Sequence, residues 1–345
     1  MTSSPDPRLQ AAFLSAAIDA VRAAALATEA VAAERDHGRS LASLAKDDAS
    51  PVTIADFASQ AVVLDRLEAV IGPVALLGEE SDDLLRDPAQ SELLAAVERA
   101  ARVAVPTLDR ERILALLARE RADPARGACW TLDPVDGTKG FLRGGQYAIA
   151  LALIESGRPL LGAMACPRLA LDLDDPSQPA ATGLVACAVR GGGARWYAMD
   201  GDLDDAAPLR APAWKAGDPV SLLLSVESAH GDGDTATDAA RCCGPLGDAL
   251  RLDSASKYVL LSHGRGNAYL RVPRITPGKP ERKECVWDHA AGVLIAEEAG
   301  CRVSDLDGKP LDFSAGATLA RNRGLLAAPP LLADRLVAAI ASLGR

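Results

Sequence analysis

Basic charge is in short supply: 37 Lys and Arg stand against 47 Asp and Glu, a net charge of -10. Nonspecific binding to nucleic acid or to an anionic membrane needs clustered basic charge, so neither is expected as a partner. A phosphorylated small molecule stays open, because bound cations reverse the local sign of a carboxylate-rich site. The seven cysteines, Cys129, Cys166, Cys187, Cys242, Cys243, Cys285 and Cys301, contain no CxxC and no Cys/His zinc spacing. They read as mostly buried, reduced thiols. No apolar run reaches bilayer-spanning length, and the longest candidates, such as Tyr147 to Ile154, suit buried strands. A secretory signal is also missing, since Asp6, Asp19 and Arg22 interrupt the alanine-rich start; a cytoplasmic protein is expected.

What is present can build a sizeable core. The 345 residues are 49% hydrophobic and 24% charged, the balance of a soluble chain of about two domains. Phe13, Ala17, Val21, Ala24 and Val31 predict a long helix over residues 9–35. A second helix follows Ser50-Pro51, with Ile54, Phe57, Ala61, Leu64 and Leu67 on one face. Val74 to Leu77 reads as a short strand, and residues 83–122 as helical with breaks at Pro88 and Pro106. From Trp130 onward, short strand-like runs are joined by Ser156-Gly157-Arg158-Pro159 and Gly191-Gly192-Gly193, the pattern of antiparallel neighbours. The proline- and aspartate-rich stretch 200–219 predicts a boundary: an α+β domain with an antiparallel sheet over 1–215, then an α/β domain over 216–345. The second domain should hold a strand at Ser221 to Val226 and a helix from Asp288 to Ala299, stopped by Gly300.

The most informative stretch runs from Leu132 to Gly140, LDPVDGTKG. A strand should end at Asp133, because Pro134 cannot donate to a ladder. The turn can bring Asp133 and Asp136 toward one point with the Val135 carbonyl between them, three oxygens for a hard cation such as magnesium. N–H groups at Gly137 and Thr138 would then face a phosphate. Ordinary turn chemistry with Asp136 capping a helix fits the same residues. Asp56, three residues after Thr53, fits a capping box. Glu79 and Glu80 fit a solvated pair, Asp288 an N-cap, and His289 a structural histidine. Lys257 and Arg271 fit surface charges, and His230 a loop histidine.

Taken together, the segments are more specific. Gly78-Glu79-Glu80-Ser81, Asp133-Pro134-Val135-Asp136-Gly137-Thr138 and Trp287-Asp288-His289-Ala290-Ala291-Gly292 stand in order. In this the chain resembles the lithium-sensitive, magnesium-dependent phosphomonoesterases that include inositol monophosphatase, over roughly Ser50 to Phe313. The extended runs look like the 3'(2'),5'-bisphosphate nucleotidases among them: Ser50 to Gln60, Asp136 to Ala148, Val226 to His230, Leu252 to Tyr258 and Tyr269 to Arg271. The resemblance implies a layered α-β-α-β-α sugar-phosphatase fold and two or three magnesium ions per site. It implies Glu79, Asp133, the Val135 carbonyl, Asp136, Asp288 and Asp56 as metal ligands. It also implies an Asp56–Thr138 pair that orients the attacking water, with Glu79 helping to activate it. Gly137, Thr138, His230, Ser254, Lys257 and Arg271 would hold the nucleotide and its phosphates. The implied reaction removes the 3'-phosphate of adenosine 3',5'-bisphosphate, with the 3'-phosphorylated sulfate donor of sulfur assimilation as a second substrate. The alternatives are an inositol polyphosphate 1-phosphatase, an inositol monophosphatase, or a nonenzymatic nucleotide-sensing module. One departure concerns residues 272–287, where Pro273, Pro277 and Pro280 sit in a loop longer than the family norm.

Overall fold

Alanine sets the spacing of the first layer. In α1 (Pro7–Asp36) the stripe Ala17, Ala20, Ala24 and Ala27 has no exposed surface, so the helix can lie close against α2 (Ile54–Ile71). A computed structural model describes residues 7–36, 43–45, 51–172, 175–226, 232–274 and 283–344. The same alanines make Gln10–Glu34 long and apolar enough, by composition alone, to cross a membrane, which corrects the expectation that no such run exists. In its most apolar 18-residue window 56% is buried inside the protein, where α1 serves as a core helix. Between these helices β1 (Ser43–Ala45) pairs antiparallel with β2 (Pro51–Thr53).

The chain continues through β3 (Leu76–Gly78), α3 (Ser91–Ala104) and α4 (Arg110–Leu117), with Pro106 separating the two helices as expected. Next come β4 (Cys129–Asp136), the short α5 (Thr138–Arg143), β5 (Ala148–Glu155), β6 (Arg158–Cys166), β7 (Leu184–Val189), β8 (Gly193–Ala198) and β9 (Ala207–Leu209). Among the described residues these strands form a seven-stranded sheet in the order β3 to β9. β3 and β4 are parallel, and every later pairing is antiparallel.

The remaining elements are β10 (Leu222–Leu224), α6 (Gly233–Cys243), β11 (Leu250–Arg251), α7 (Ser256–His263), β12 (Ala268–Arg271), α8 (Ala290–Glu298), β13 (Arg302–Ser304), β14 (Leu325–Ala328) and α9 (Pro330–Ser342). The second sheet has the order β11-β10-β12-β14-β13. Its first three strands are parallel, but β14 enters antiparallel to both β12 and β13, so the sheet is mixed.

Alternation along the strands sorts apolar side chains into separate cores. The first lies between α1–α4 and the Leu132, Ile149, Leu151 and Val185 face of the large sheet. The second joins the opposite face, through Ala150, Met164 and Ala186, to Tyr258 of α7, Leu294 of α8, and Leu223, Tyr269 and Ala327 of the small sheet. The third holds Leu222, Leu270 and Leu326 against α6 and α9. Helices, sheet, helices, sheet, helices is therefore the layer order. A Cβ placed on Gly292 would come within 2.1 Å of the Tyr258 ring, so the absence of a side chain there lets α8 pack on α7. All seven cysteines are free; Cys242 is exposed and Cys285 partly so, while the other five are buried.

Candidate active site

On an unbroken strand, side chains three residues apart face opposite ways. β4 avoids this. Its register against β5 slips between Asp133, opposite Ala150, and Asp136, opposite Ala148. The extra residue is a bulge that turns Asp136 back toward the side Asp133 faces. Pairing thus resumes beyond Pro134, a correction to the expectation that the strand ends at Asp133. The bulge accommodates a residue with no N–H. The loop is also tied locally: Val135 N–H donates to Asp133 Oδ1 at 3.1 Å, and the Thr138 hydroxyl to the Val135 carbonyl at 3.1 Å.

Asp136 is not a helix cap. α5 starts at Thr138 after Gly137, whose φ of +87° belongs to the left-handed region. A Cβ there would lie 3.0 Å from Ser254 Cβ, so both conformation and space require glycine. Ser254 itself sits at φ 71°, a strained setting for a side-chain-bearing residue. Behind it the Ala255 N–H donates to Asp136 Oδ2, while Arg143 of α5 pairs with Asp253 at 2.8 Å. The loop 253–255 is thereby fastened to both Asp136 and α5.

α2 organises the other acids. The capping box is real: Asp56 Oδ2 accepts from the Thr53 N–H at 2.8 Å and the Thr53 hydroxyl at 2.6 Å. Its buried charge still reaches Asp133, so the cap and the site share one residue. One turn on, Ser59 donates to the Pro134 carbonyl at 2.8 Å. Gln60 Nε2 donates to the Glu80 carbonyl at 2.8 Å, and its Oε1 accepts from the Glu80 N–H at 3.2 Å. Positions 56, 59 and 60 share a helix face by their spacing, the signal that could have assigned Ser59 and Gln60 beforehand. Glu80 is buried, so it is no solvated acid. Arg121 adds an outer tie, donating to the Glu79 carbonyl at 2.7 Å with its guanidinium 5.6 Å from the Trp287 ring centre. Asp288 is no cap either: α8 begins at Ala290, with His289 in the cap position.

Burial pushes the Asp133 carboxyl well above its usual range, and Glu79, Asp136, Asp288 and Asp56 push it further. Asp288 is raised by burial and by Asp136, Glu79 and Glu284. Asp136 is raised by burial, with Lys257, the Ala255 N–H, His289 and Arg271 opposing. Acids from four distant segments therefore share one electrostatic neighbourhood. Buried, anionic oxygen donors of this kind fit a hard divalent cation. Glu284, Asp288 and His289 also place ligand atoms within 4.8 Å of one another. That grouping is committed elsewhere, because Glu284 Oε2 accepts from Arg271 at 2.7 Å and from His289 at 3.1 Å.

Lys257 is not a surface charge. It is buried, and its Nζ donates to the Leu252 and Ser254 carbonyls at 3.1 and 2.6 Å. Burial lowers its pKa to about 8, against the pull of Asp136. Arg271 is likewise mostly buried, in its pair with Glu284. Among the described residues no Asp56–Thr138 hydrogen bond is formed; the Thr138 hydroxyl donates to the Val135 carbonyl instead. His230 lies outside the described residues, as do 227–231 and 275–282.

A family model described as the inositol monophosphatase family matches residues 9–345. A 3'(2'),5'-bisphosphate nucleotidase of Schizosaccharomyces pombe is 37% identical over 336 residues, covering 94% of each chain. One from Emericella nidulans is 34% identical over 346 residues, covering 93% of this chain and 95% of its own. Among solved structures, an IMPase from Thermotoga maritima superposes with a TM-score of 0.60 at 18% identity, covering 95% of this chain and 96% of that one. CysQ from Bacteroides thetaiotaomicron gives 0.58 at 22%, covering 94% and 99%. These two structures speak to the fold.

Proposed function

The chain belongs to the inositol monophosphatase family, and from that premise we propose that it is a phosphomonoesterase that removes the 3'-phosphate of adenosine 3',5'-bisphosphate. The products are AMP and phosphate, and the reaction runs in the cytoplasm. The carrying observation is the crowding of Glu79, Asp133, Asp136, Asp288 and Asp56 beside two buried cations, Lys257 and Arg271, whose charge Asp136 feels. The nucleotidase names of relatives matched over nearly their whole length support the substrate class.

Phosphate monoesters hydrolyse so slowly unaided that the site must lower the barrier by on the order of 20 kcal/mol or more. Glu79, Asp133, the Val135 carbonyl, Asp136 and Asp288 would hold two magnesium ions, with Asp56 near a third. Bound there, such ions supply charge neutralisation and a lowered pKa for water. The chain's own groups do the rest. The Thr138 hydroxyl spends its proton on the Val135 carbonyl, so its lone pairs can only accept, which fixes an adjacent water by one O–H. This does the orienting work expected of an Asp56–Thr138 pair. Lys257 has three donors and gives two to carbonyls, leaving one for the non-reacting phosphate. Arg271 supplies the second charge to that phosphate, and Ser254 a hydroxyl beside it.

Phosphate release should be measured for adenosine 3',5'-bisphosphate, inositol 1,4-bisphosphate, inositol 1-phosphate and fructose 1,6-bisphosphate, with and without magnesium and lithium. The nucleotide should give the highest kcat/KM, only with magnesium, and lithium should suppress it. A preference for either inositol phosphate would replace the substrate assignment while leaving the hydrolytic site intact.

A further inference from the structure

Arg271 is gripped along one edge only. Its Nε and Nη2 both donate to Glu284 Oε2, at 3.1 and 2.7 Å, and both side chains are 14% exposed. Among the described residues Nη1 makes no hydrogen bond. The same Oε2 meets His289 Nε2 at 3.1 Å, and the other ring nitrogen of His289 lies 2.9 Å from the Tyr258 hydroxyl. Tyr258 stands edge-on to Tyr269, 5.1 Å between ring centres, and Tyr269 lies on β12 two residues before Arg271. Lys257 Nζ sits 5.5 Å from the centre of that Tyr269 ring. Both cations offered to the second phosphate thus rest on one buried framework, in which Glu284 is, among the described residues, the carboxylate that bonds Arg271 and His289.

We propose that Glu284 is a positioning residue for substrate selection: it holds the Nε/Nη2 edge of Arg271 so that Nη1 faces the non-reacting phosphate. This rests on the reading of Arg271 as a phosphate-holding group. Two physical reasons support it. An arginine side chain loses considerable rotamer freedom when a ligand fixes it, and a partner that fixes it beforehand removes that cost from binding. Arg271 also attracts Asp288 and Asp136. Without Glu284, a buried guanidinium with no counter-ion would turn toward those acids and away from the phosphate. Glu284 keeps the cation of the specificity subsite out of the acid cluster.

The test uses the full chain with saturating magnesium and two substrates, adenosine 3',5'-bisphosphate and adenosine 3'-monophosphate, which lacks the second phosphate. Glu284→Ala should raise KM for the bisphosphate about tenfold with kcat within about twofold, and leave KM for the monophosphate within about twofold. Glu284→Gln keeps an acceptor oxygen and should raise the bisphosphate KM only about threefold. In an Arg271→Ala chain, adding Glu284→Ala should cost nothing more. An equal rise for both substrates, a kcat loss on both, or additivity with Arg271→Ala would overturn the proposal. If Glu284→Ala fails to fold by circular dichroism, Glu284→Gln and its cycle with Arg271→Ala decide alone. If Arg271→Ala itself leaves the bisphosphate KM unchanged, the proposed substrate class fails. Loss of selectivity in Arg271→Ala without any in the Glu284 variants sinks only this inference.

Discussion

Replacing Asp133 by Asn should stabilise the metal-free protein while abolishing its chemistry. The side chains are nearly the same shape, and Asn keeps the oxygen that accepts the Val135 N–H. What changes is charge. Burial, Glu79, Asp136, Asp288 and Asp56 all oppose ionisation of Asp133. At an effective dielectric constant near 20, one like-charge pair about 5 Å apart costs roughly 3 kcal/mol. Because the acids share protons, relief should amount to about one such pair, on the order of 2–4 kcal/mol at pH 8. For a chain this long that is several degrees in Tm. The pH sign follows from the direction of the shifts. A carboxyl whose folded pKa lies above its unfolded value of about 3.9 contributes stability below that value and loses it as pH rises through the folded pKa. Wild type should therefore lose stability relative to the variant as pH rises from about 4, and the gap between the two should close at low pH. Calorimetry in EDTA from pH 4 to 8 reads both. Magnesium at about 1,000 Kd should reverse the order, since it adds about 4.1 kcal/mol to the chain that binds it. An Asn variant no more stable than wild type at pH 8 without cations would refute the electrostatic account.

Gln60→Leu leaves the Glu80 N–H and carbonyl without their partner and should cost about 2–4 kcal/mol by denaturant titration. It should also weaken magnesium half-saturation several-fold, because the turn carrying Glu79 loosens. Arg143→Ala removes a pair whose arginine is 47% exposed, so Tm should fall by less than about 1 kcal/mol equivalent. Steady-state KM should rise nonetheless, because the loop bearing Ser254 loses its tie to α5. Gly292→Ala forces a methyl into the Tyr258 ring and should destabilise by about 3 kcal/mol, read as a lowered Tm by calorimetry.

The large sheet was legible because its strands are joined by short glycine turns, and short turns leave antiparallel neighbours little choice. The mixed character of the small sheet was not, since β14 returns from 21 residues beyond β13. The acids were readable as residues but ambiguous in role. A carboxylate just ahead of a helix serves a cap and a cation equally well, and only the observed starts at Thr138 and Ala290 separate the two. Asp56 shows that the choice was not exclusive. The bulge at Pro134-Val135 was invisible because facing parity depends on the partner strand's register. The Arg271–Glu284 pair spans 13 positions of proline-rich chain with no periodicity to announce it.

The position of β14 has a bearing on how the small sheet is assembled. This strand follows β12 and β13 in the chain and inserts between them, and the two otherwise have no mutual pairing. Until it arrives, β12 ends in an open edge directly beside Arg271. A chain lacking Leu325 to Ala328 would contain every residue proposed for the site and still lack the strand that pairs with Arg271.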